Sequence, residues 1–174
     1  DPYHNLGIIW TKLDKIDKAV NNYLKAKKLN SINALTYYNL GWLYSQKFDL
    51  NISKLEDAEL NFKKAIEIDP SYAKYFYNLA LVQARLTKYD SAIENYKKSI
   101  KIDPNYIRAE YNLSRLYLAT EKFEEGWSIY DKLRIDKFEK NLEYKQTLKN
   151  ILELKRWNGE KFKFFISSLF NLIK

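Results

Sequence analysis

Over residues 1–113 the dipeptide Asn-Leu occurs at Asn5-Leu6, Asn39-Leu40, Asn78-Leu79 and Asn112-Leu113, at intervals of 34, 39 and 34 residues. Self-similarity near a period of 34 marks a stack of helix–turn–helix units. One such unit cannot bury its apolar face alone and must stack on its neighbours. The period therefore predicts an all-α fold. It also sets one amide side chain at an equivalent place in every unit.

The third unit shows the pattern most clearly. Apolar Phe76, Leu79, Ala80 and Leu86 fall at three- and four-residue spacing and predict a helix over Ala73 to Leu86. Thr87-Lys88 makes the turn, and Ala92, Ile93, Tyr96 and Ile100 predict a second helix from Tyr89 to Ile102. Asp103-Pro104 closes the unit, as Asp69-Pro70 closes the one before it and Asp1-Pro2 opens the chain. Proline suits a first helical turn, and the Asp beside it is expected to serve as an N-cap. The units run over about 1–33, 34–72, 73–106 and 107–137. The second carries five extra residues within 47–54, which are expected to lengthen its turn.

These residues resemble the tetratricopeptide repeat family. Its pattern is met by Tyr37, Leu40, Gly41, Tyr44, Ala58, Phe62, Ala65 and Pro70 in the second unit. The third unit meets it with Phe76, Leu79, Ala80, Tyr89, Ala92, Tyr96, Ser99 and Pro104. The first follows with Leu6, Gly7, Trp10, Ala19, Tyr23 and Ala26, and has Ser31 where Pro is expected. The fourth is looser: Leu113, Tyr117, Phe123, Gly126 where Ala is usual, Tyr130 and Leu133. Small residues recur where helices cross closely. The resemblance covers residues 1 to about 135. It implies a right-handed superhelical solenoid of about four helix–turn–helix repeats. A helix over 138–158 is expected to cap the stack, and an apolar tail follows over 159–174.

Composition narrows the function classes. The chain has no Cys and one His, His4, which is expected at the surface of a frayed N-terminus. No Gly-rich phosphate loop or Ser-His-Asp arrangement is present. No catalytic residue, metal ligand or cofactor is expected. Net charge is +8, but 25 of the 30 cations are Lys in a chain also rich in Asn, Ile and Tyr, all residues with AT-rich codons. A solvated basic surface is the reading favoured over a nucleic-acid footprint. No secretory signal and no membrane-spanning run is visible, so a cytoplasmic location is expected. A chain opening on Asp1-Pro2 without an initiator Met is expected to be processed or excised from a longer one.

The amide column carries the functional reading. In such a stack the first helix of each unit lines the concave face, so Asn5, Asn39, Asn78 and Asn112 share one column. An amide both donates and accepts, and can pair with the backbone of an extended peptide. The column is similar to the asparagine ladder in the repeat arm of O-linked N-acetylglucosamine transferases and in armadillo-type import receptors. The other reading is that each Asn bonds a neighbouring helix. Tyr38, Tyr77 and Tyr111 precede three of the amides, and Trp42 and Arg115 follow two of them. Lys74, Arg85 and Arg108 add positive charge. Together they predict an aromatic, basic groove for an acidic or mixed peptide or a partner protein. The tyrosines have a second role open to them, packing between units. On the groove reading, Asn39→Ala with Asn78→Ala leaves the helical melt almost unchanged.

Some tetratricopeptide co-chaperones hold a C-terminal carboxylate with a Lys/Asn/Lys/Arg clamp. Here its first Lys and Asn would fall at His4 and Ile8, or at Tyr38 and Trp42, and its final Arg at Asn78 or Asn112. Only Lys74 or Arg108 fits. The run from Phe123 to Tyr130, followed by Trp157-Asn158-Gly159-Glu160, resembles the junction where bacterial tetratricopeptide repeats meet a heptosyltransferase-like glycosyltransferase domain. The resemblance implies, as the alternative, a repeat arm whose catalytic domain is missing. Residues 162–173 are read first as a cap, otherwise as the first strand of such a domain or an interfacial anchor. Self-association through open repeat ends or this tail is a further expectation.

Overall fold

The computed structural model describes residues 1–47 and 52–138. Eight helices follow one another among them: α1 (Pro2–Lys12), α2 (Ile16–Leu29), α3 (Ala34–Lys47), α4 (Ile52–Ile68), α5 (Ala73–Arg85), α6 (Tyr89–Ile102), α7 (Ile107–Ala119) and α8 (Phe123–Phe138). Helices α1 to α7 pack in sequence order, each against the next, and Gly126 of α8 lies against Leu118 of α7, in an all-α helical-repeat solenoid. The chain divides into two compact units, Asp1–Leu133 and Arg134–Lys174. The second is described only over residues 134–138, the end of α8. The expected capping helix and apolar tail lie outside the described residues.

What holds a helix pair together is an aromatic ring of the second helix seated on a small residue of the first. Tyr23 and Phe62 are fully buried at this place. A Cβ on Gly7 would lie 2.5 Å from the Tyr23 ring, and one on Gly41 would lie 3.1 Å from the Phe62 ring. In the third unit Ala80 and Tyr96 share one buried cluster. Gly126 departs from the usual Ala for a related reason, because a Cβ there would meet the Leu118 side chain at 2.8 Å. Helix α5 buries two faces. Tyr75, Leu79 and Val82 join the core of the first two units, while Ala80 joins a second core with α6 and α7.

The turns inside units 1, 3 and 4 are one device. Asp14, Thr87 and Glu121 adopt the left-handed conformation, at φ of 55°, 58° and 61°. The next amide reaches back five residues in each: Lys15 to Trp10 (2.9 Å), Lys88 to Gln83 (2.8 Å) and Lys122 to Tyr117 (2.9 Å). This is the Schellman closure, in which helix-terminal carbonyls are satisfied by a left-handed residue, usually glycine. None of the three is glycine here.

The turns between units correct the sequence reading. Asp69 and Asp103 do not cap the following helices, which begin at Ala73 and Ile107 behind Tyr72 and Tyr106 with no side-chain cap. Instead Asp69 accepts the Ser71 N–H at 3.0 Å and Asp103 the Asn105 N–H at 3.0 Å. Asn30 accepts the Ile32 N–H at 3.1 Å in the unit that has Ser31 in place of Pro. A short carboxylate or amide closing onto the amide two residues on is an Asx turn, and the proline only pre-sets its backbone. Asp1 does cap α1, accepting the Tyr3 N–H at 2.9 Å. The five extra residues of unit 2 are not all turn. Residues 48–51 lie outside the described part, but Ile52, Ser53 and Lys54 form the start of α4. Lys54 pairs there with Asp57 at 3.1 Å, helical spacing that favours the added turn.

A buried polar chain joins units 2 and 3. Glu59 of α4 is buried and accepts from Gln83 of α5 (3.2 Å), Lys88 (2.6 Å) and Lys63 (2.8 Å). Gln83 in turn accepts from Asn95 of α6 at 2.8 Å. Burial works to raise the Glu59 pKa, and the hydrogen bonds from Lys63, Lys88 and Gln83 overcome it, holding the carboxyl at about 2.

Thr87→Gly relieves a left-handed β-branched residue and should stabilise the fold by about 1 kcal/mol, read as a rise in Tm. For Glu59 the folded pKa lies below the ordinary 4.5, so its stabilisation is complete above about pH 4.5 and is lost as pH falls toward about 2. Denaturant titrations across that window should show a smaller acid-dependent loss of stability in Glu59→Gln than in the parent.

Candidate peptide-binding face

The register that buries Leu40, Leu79 and Leu113 turns the preceding residue toward the adjoining unit. There the amide column meets a column of tyrosines. Asn78 donates through Nδ2 to the Tyr38 hydroxyl at 3.2 Å and to the Lys74 carbonyl at 2.8 Å. Asn112 donates to the Tyr77 hydroxyl at 3.1 Å. Asn39 is half-buried, and the side chain of Asn5 is exposed. Both amide protons of Asn78 are therefore engaged inside the protein, and Asn112 retains one.

The surroundings of the tyrosines explain their burial. Tyr38 is buried, stacked on Tyr75 with ring centroids 5.0 Å apart and tilted against Phe62 at 5.7 Å. Burial pushes the Tyr38 hydroxyl well above its ordinary pKa, and that of Tyr75 up to about 12. Tyr77 is half-buried, edge-on to Tyr106 at 5.1 Å. Tyr111 is exposed, with the Arg115 guanidinium 5.7 Å above its ring. Lys74 is exposed, with its ammonium 5.5 Å above the Tyr38 ring. Arg108 is exposed beside Tyr106, whose pKa burial raises while the guanidinium works weakly against it.

Three expectations change. Trp42 is half-buried and packs on the core of the first two units. Arg85 is exposed, but its guanidinium donates to the Ser45 carbonyl and bridges α5 to α3. His4 is buried, against the expectation of a surface position. It occupies the place of Tyr38 and Tyr77 in its unit, lies edge-on to Tyr23 at 5.7 Å and pairs through Nδ1 with Thr36 Oγ1 at 2.8 Å. Burial lowers its pKa, which favours the neutral ring. The repeat register was the available signal, since a residue equivalent to a packed Tyr is itself packed. Sequence reasoning also missed Glu59 and Gln83, whose signal was a carboxylate directly after the small core residue Ala58.

Among the described residues there is no cluster of His, Cys, Asp and Glu placed to hold a metal, and no helix long and apolar enough to cross a membrane. The helix pairs, the small-on-aromatic contacts and the amide–tyrosine column define a helical-repeat protein. Family models described as tetratricopeptide repeat match residues 1–33 and 73–106, and one described as TPR repeat matches 52–86. The chain belongs to the tetratricopeptide repeat family. The matched residues end at 106, short of the segment read as a glycosyltransferase junction, and 157–160 lie outside the described residues.

Among solved structures, the fold is similar to the crystal structure of MamA, at 27% identity and a TM-score of 0.71, covering 82% of this chain and 80% of that one. The Arabidopsis OM64 TPR domain is 26% identical with a TM-score of 0.60, over 67% of this chain and 93% of that one. The first TPR of Spaghetti (RPAP3), bound to the HSP90 peptide SRMEEVD, is 22% identical with a TM-score of 0.63, over 68% and 90%. No curated protein matches the sequence.

The buried bonds of Asn78 revise the expected mutational behaviour. Asn78→Ala removes two hydrogen bonds and orphans the Tyr38 hydroxyl, and should cost about 1–3 kcal/mol of stability. Asn5→Ala, at an exposed amide, should shift the thermal melt by less than about 0.5 kcal/mol.

Proposed function

We propose that this chain is a protein–protein interaction module without catalysis of its own, and that the face carrying Lys74, Arg108, Tyr111 and Arg115 receives an extended acidic peptide. The observation that supports the reading most is the placement of cations. Lys74 and Arg108 each stand exposed one helical turn before an amide of the column, on α5 and α7. Two cations of this face, Lys74 and Arg115, rest over tyrosine rings at 5.5 and 5.7 Å. A cation held on an aromatic face loses little rotamer freedom when it meets a carboxylate, which lowers the cost of binding. Of the amides in units 3 and 4, half-buried Asn112 alone has capacity to spare, its carbonyl oxygen and one N–H, because Asn78 is buried.

The RPAP3 domain is bound to a peptide with two Glu and one Asp. That likeness is one of fold, and the clamp pattern is missing here, so acidic side chains rather than a terminal carboxylate are the groups to be held. Amide column and basic face then have separate tasks, the first joining units and the second selecting charge.

Selection of random dodecapeptides on phage would test this. Acidic sequences should be enriched on the wild-type chain. Lys74→Glu with Arg108→Glu should abolish that enrichment with an unchanged helical melt, and added salt should weaken binding. Charge-neutral selectants, or the same selectants on the double variant, would contradict the proposal.

A further inference from the structure

The face that carries the cations changes character from unit 2 to unit 4. Two columns of side chains flank the amides of α3, α5 and α7. Four residues before each amide stand Leu35, Lys74 and Arg108, and three residues after it Trp42, Leu81 and Arg115. At these spacings both columns share one side of the helix with the amide, one turn before it and one turn after. Leu35 is 52% exposed, and Lys74, Arg108 and Arg115 are exposed. Trp42 and Leu81 are half-buried, packed on the two cores. Unit 2 thus offers two apolar side chains, unit 3 one cation and one apolar side chain, and unit 4 two cations.

Other groups on this face follow the same direction. Tyr38 is 7% exposed, Tyr77 half-buried and Tyr111 45% exposed. Asn112 of unit 4 has amide capacity to spare, whereas Asn78 of unit 3 is buried with both its protons engaged. No acidic side chain offsets the gradient. The helices α3, α5 and α7 contain one carboxylate, Glu110, and Lys132 of α8 pairs with it at 3.1 Å.

The step between units sets the spacing that a ligand must match. Helix α5 packs against α3, and packed helices lie about 8–10 Å apart. The equivalent Asn78–Tyr38 and Asn112–Tyr77 bonds make the step to α7 alike. An extended chain advances about 3.3–3.6 Å per residue, so it crosses one unit in about three residues. Its successive side chains point to opposite sides, and two neighbours can reach the two columns of one unit.

We infer that the peptide held here is polar along its length, with an apolar pair seated on Leu35 and Trp42 and an acidic pair, about six residues away, on Arg108 and Arg115. Between them a single acidic residue meets Lys74. The inference rests on the reading of this face as an acidic-peptide site and adds what fixes the peptide's register: the apolar pair gains nothing at unit 4, and the acidic pair finds no cation at Leu35 and Trp42.

Fluorescence anisotropy on the full 174-residue chain tests this with three fluorescein-labelled peptides of one composition. They are Leu-Phe-Gly-Glu-Ser-Gly-Glu-Glu, its reverse, and Glu-Glu-Gly-Leu-Phe-Ser-Gly-Glu. The first two cover both directions of travel, and one of them should bind about tenfold or more tighter than the third, as expected for one apolar side chain gained or lost. Leu35→Lys, at an exposed position where an unchanged helical melt verifies folding, should remove that preference. Equal binding of the three peptides, or tightest binding of the third, would overturn the inference and leave the acidic-peptide reading standing. A preference that survives Leu35→Lys would also overturn it. Binding of none of the three would overturn both readings.

Discussion

The close approach of a second-helix aromatic to a small first-helix residue sets the geometry of everything else. Tyr23 on Gly7 and Phe62 on Gly41 leave no room for a larger side chain, and the rings are completely enclosed. A methyl group added at such a place costs about 1–3 kcal/mol through overpacking, as much as several surface ion pairs. The crossing fixed by these contacts determines which residues face the next unit. The Leu of each dipeptide, the tyrosine column and the amide column all take their positions from it.

Once units are stacked this closely, polar groups at the junction must be satisfied internally, since an orphaned buried donor or acceptor costs more than a made bond contributes. The structure meets that demand in two ways. On the first helices, amides donate to tyrosine hydroxyls one unit back. Between units 2 and 3, Glu59, Gln83 and Asn95 form a chain through three helices, with Lys63 and Lys88 neutralising the carboxylate. The recurrence of Asn therefore has a structural reason before any functional one, and recognition falls to the exposed cations beside it.

Most of the fold was legible because period, small residues and apolar spacing are local signals. The helix over 89–102 and the turn at Thr87-Lys88 follow directly from them. What was not legible depends on partners distant in sequence. Asn78 meets Tyr38, forty residues away, and no local pattern separates an amide that donates inward from one that faces a ligand. His4 looked like a frayed terminus because its partner Thr36 lies in the next unit. Asp69 and Asp103 read as caps in the sequence because an Asx turn and an N-cap use the same residue type, and only the backbone beyond tells them apart.

The amide–tyrosine pairs act as struts between units. A double-mutant cycle on Tyr77→Phe and Asn112→Ala, read by denaturant unfolding, should give a coupling energy of about 0.5–1.5 kcal/mol between the two positions. Additive effects, within about 0.3 kcal/mol, would show that the bond does not join the units and that Asn112 is free to serve a ligand with its whole amide.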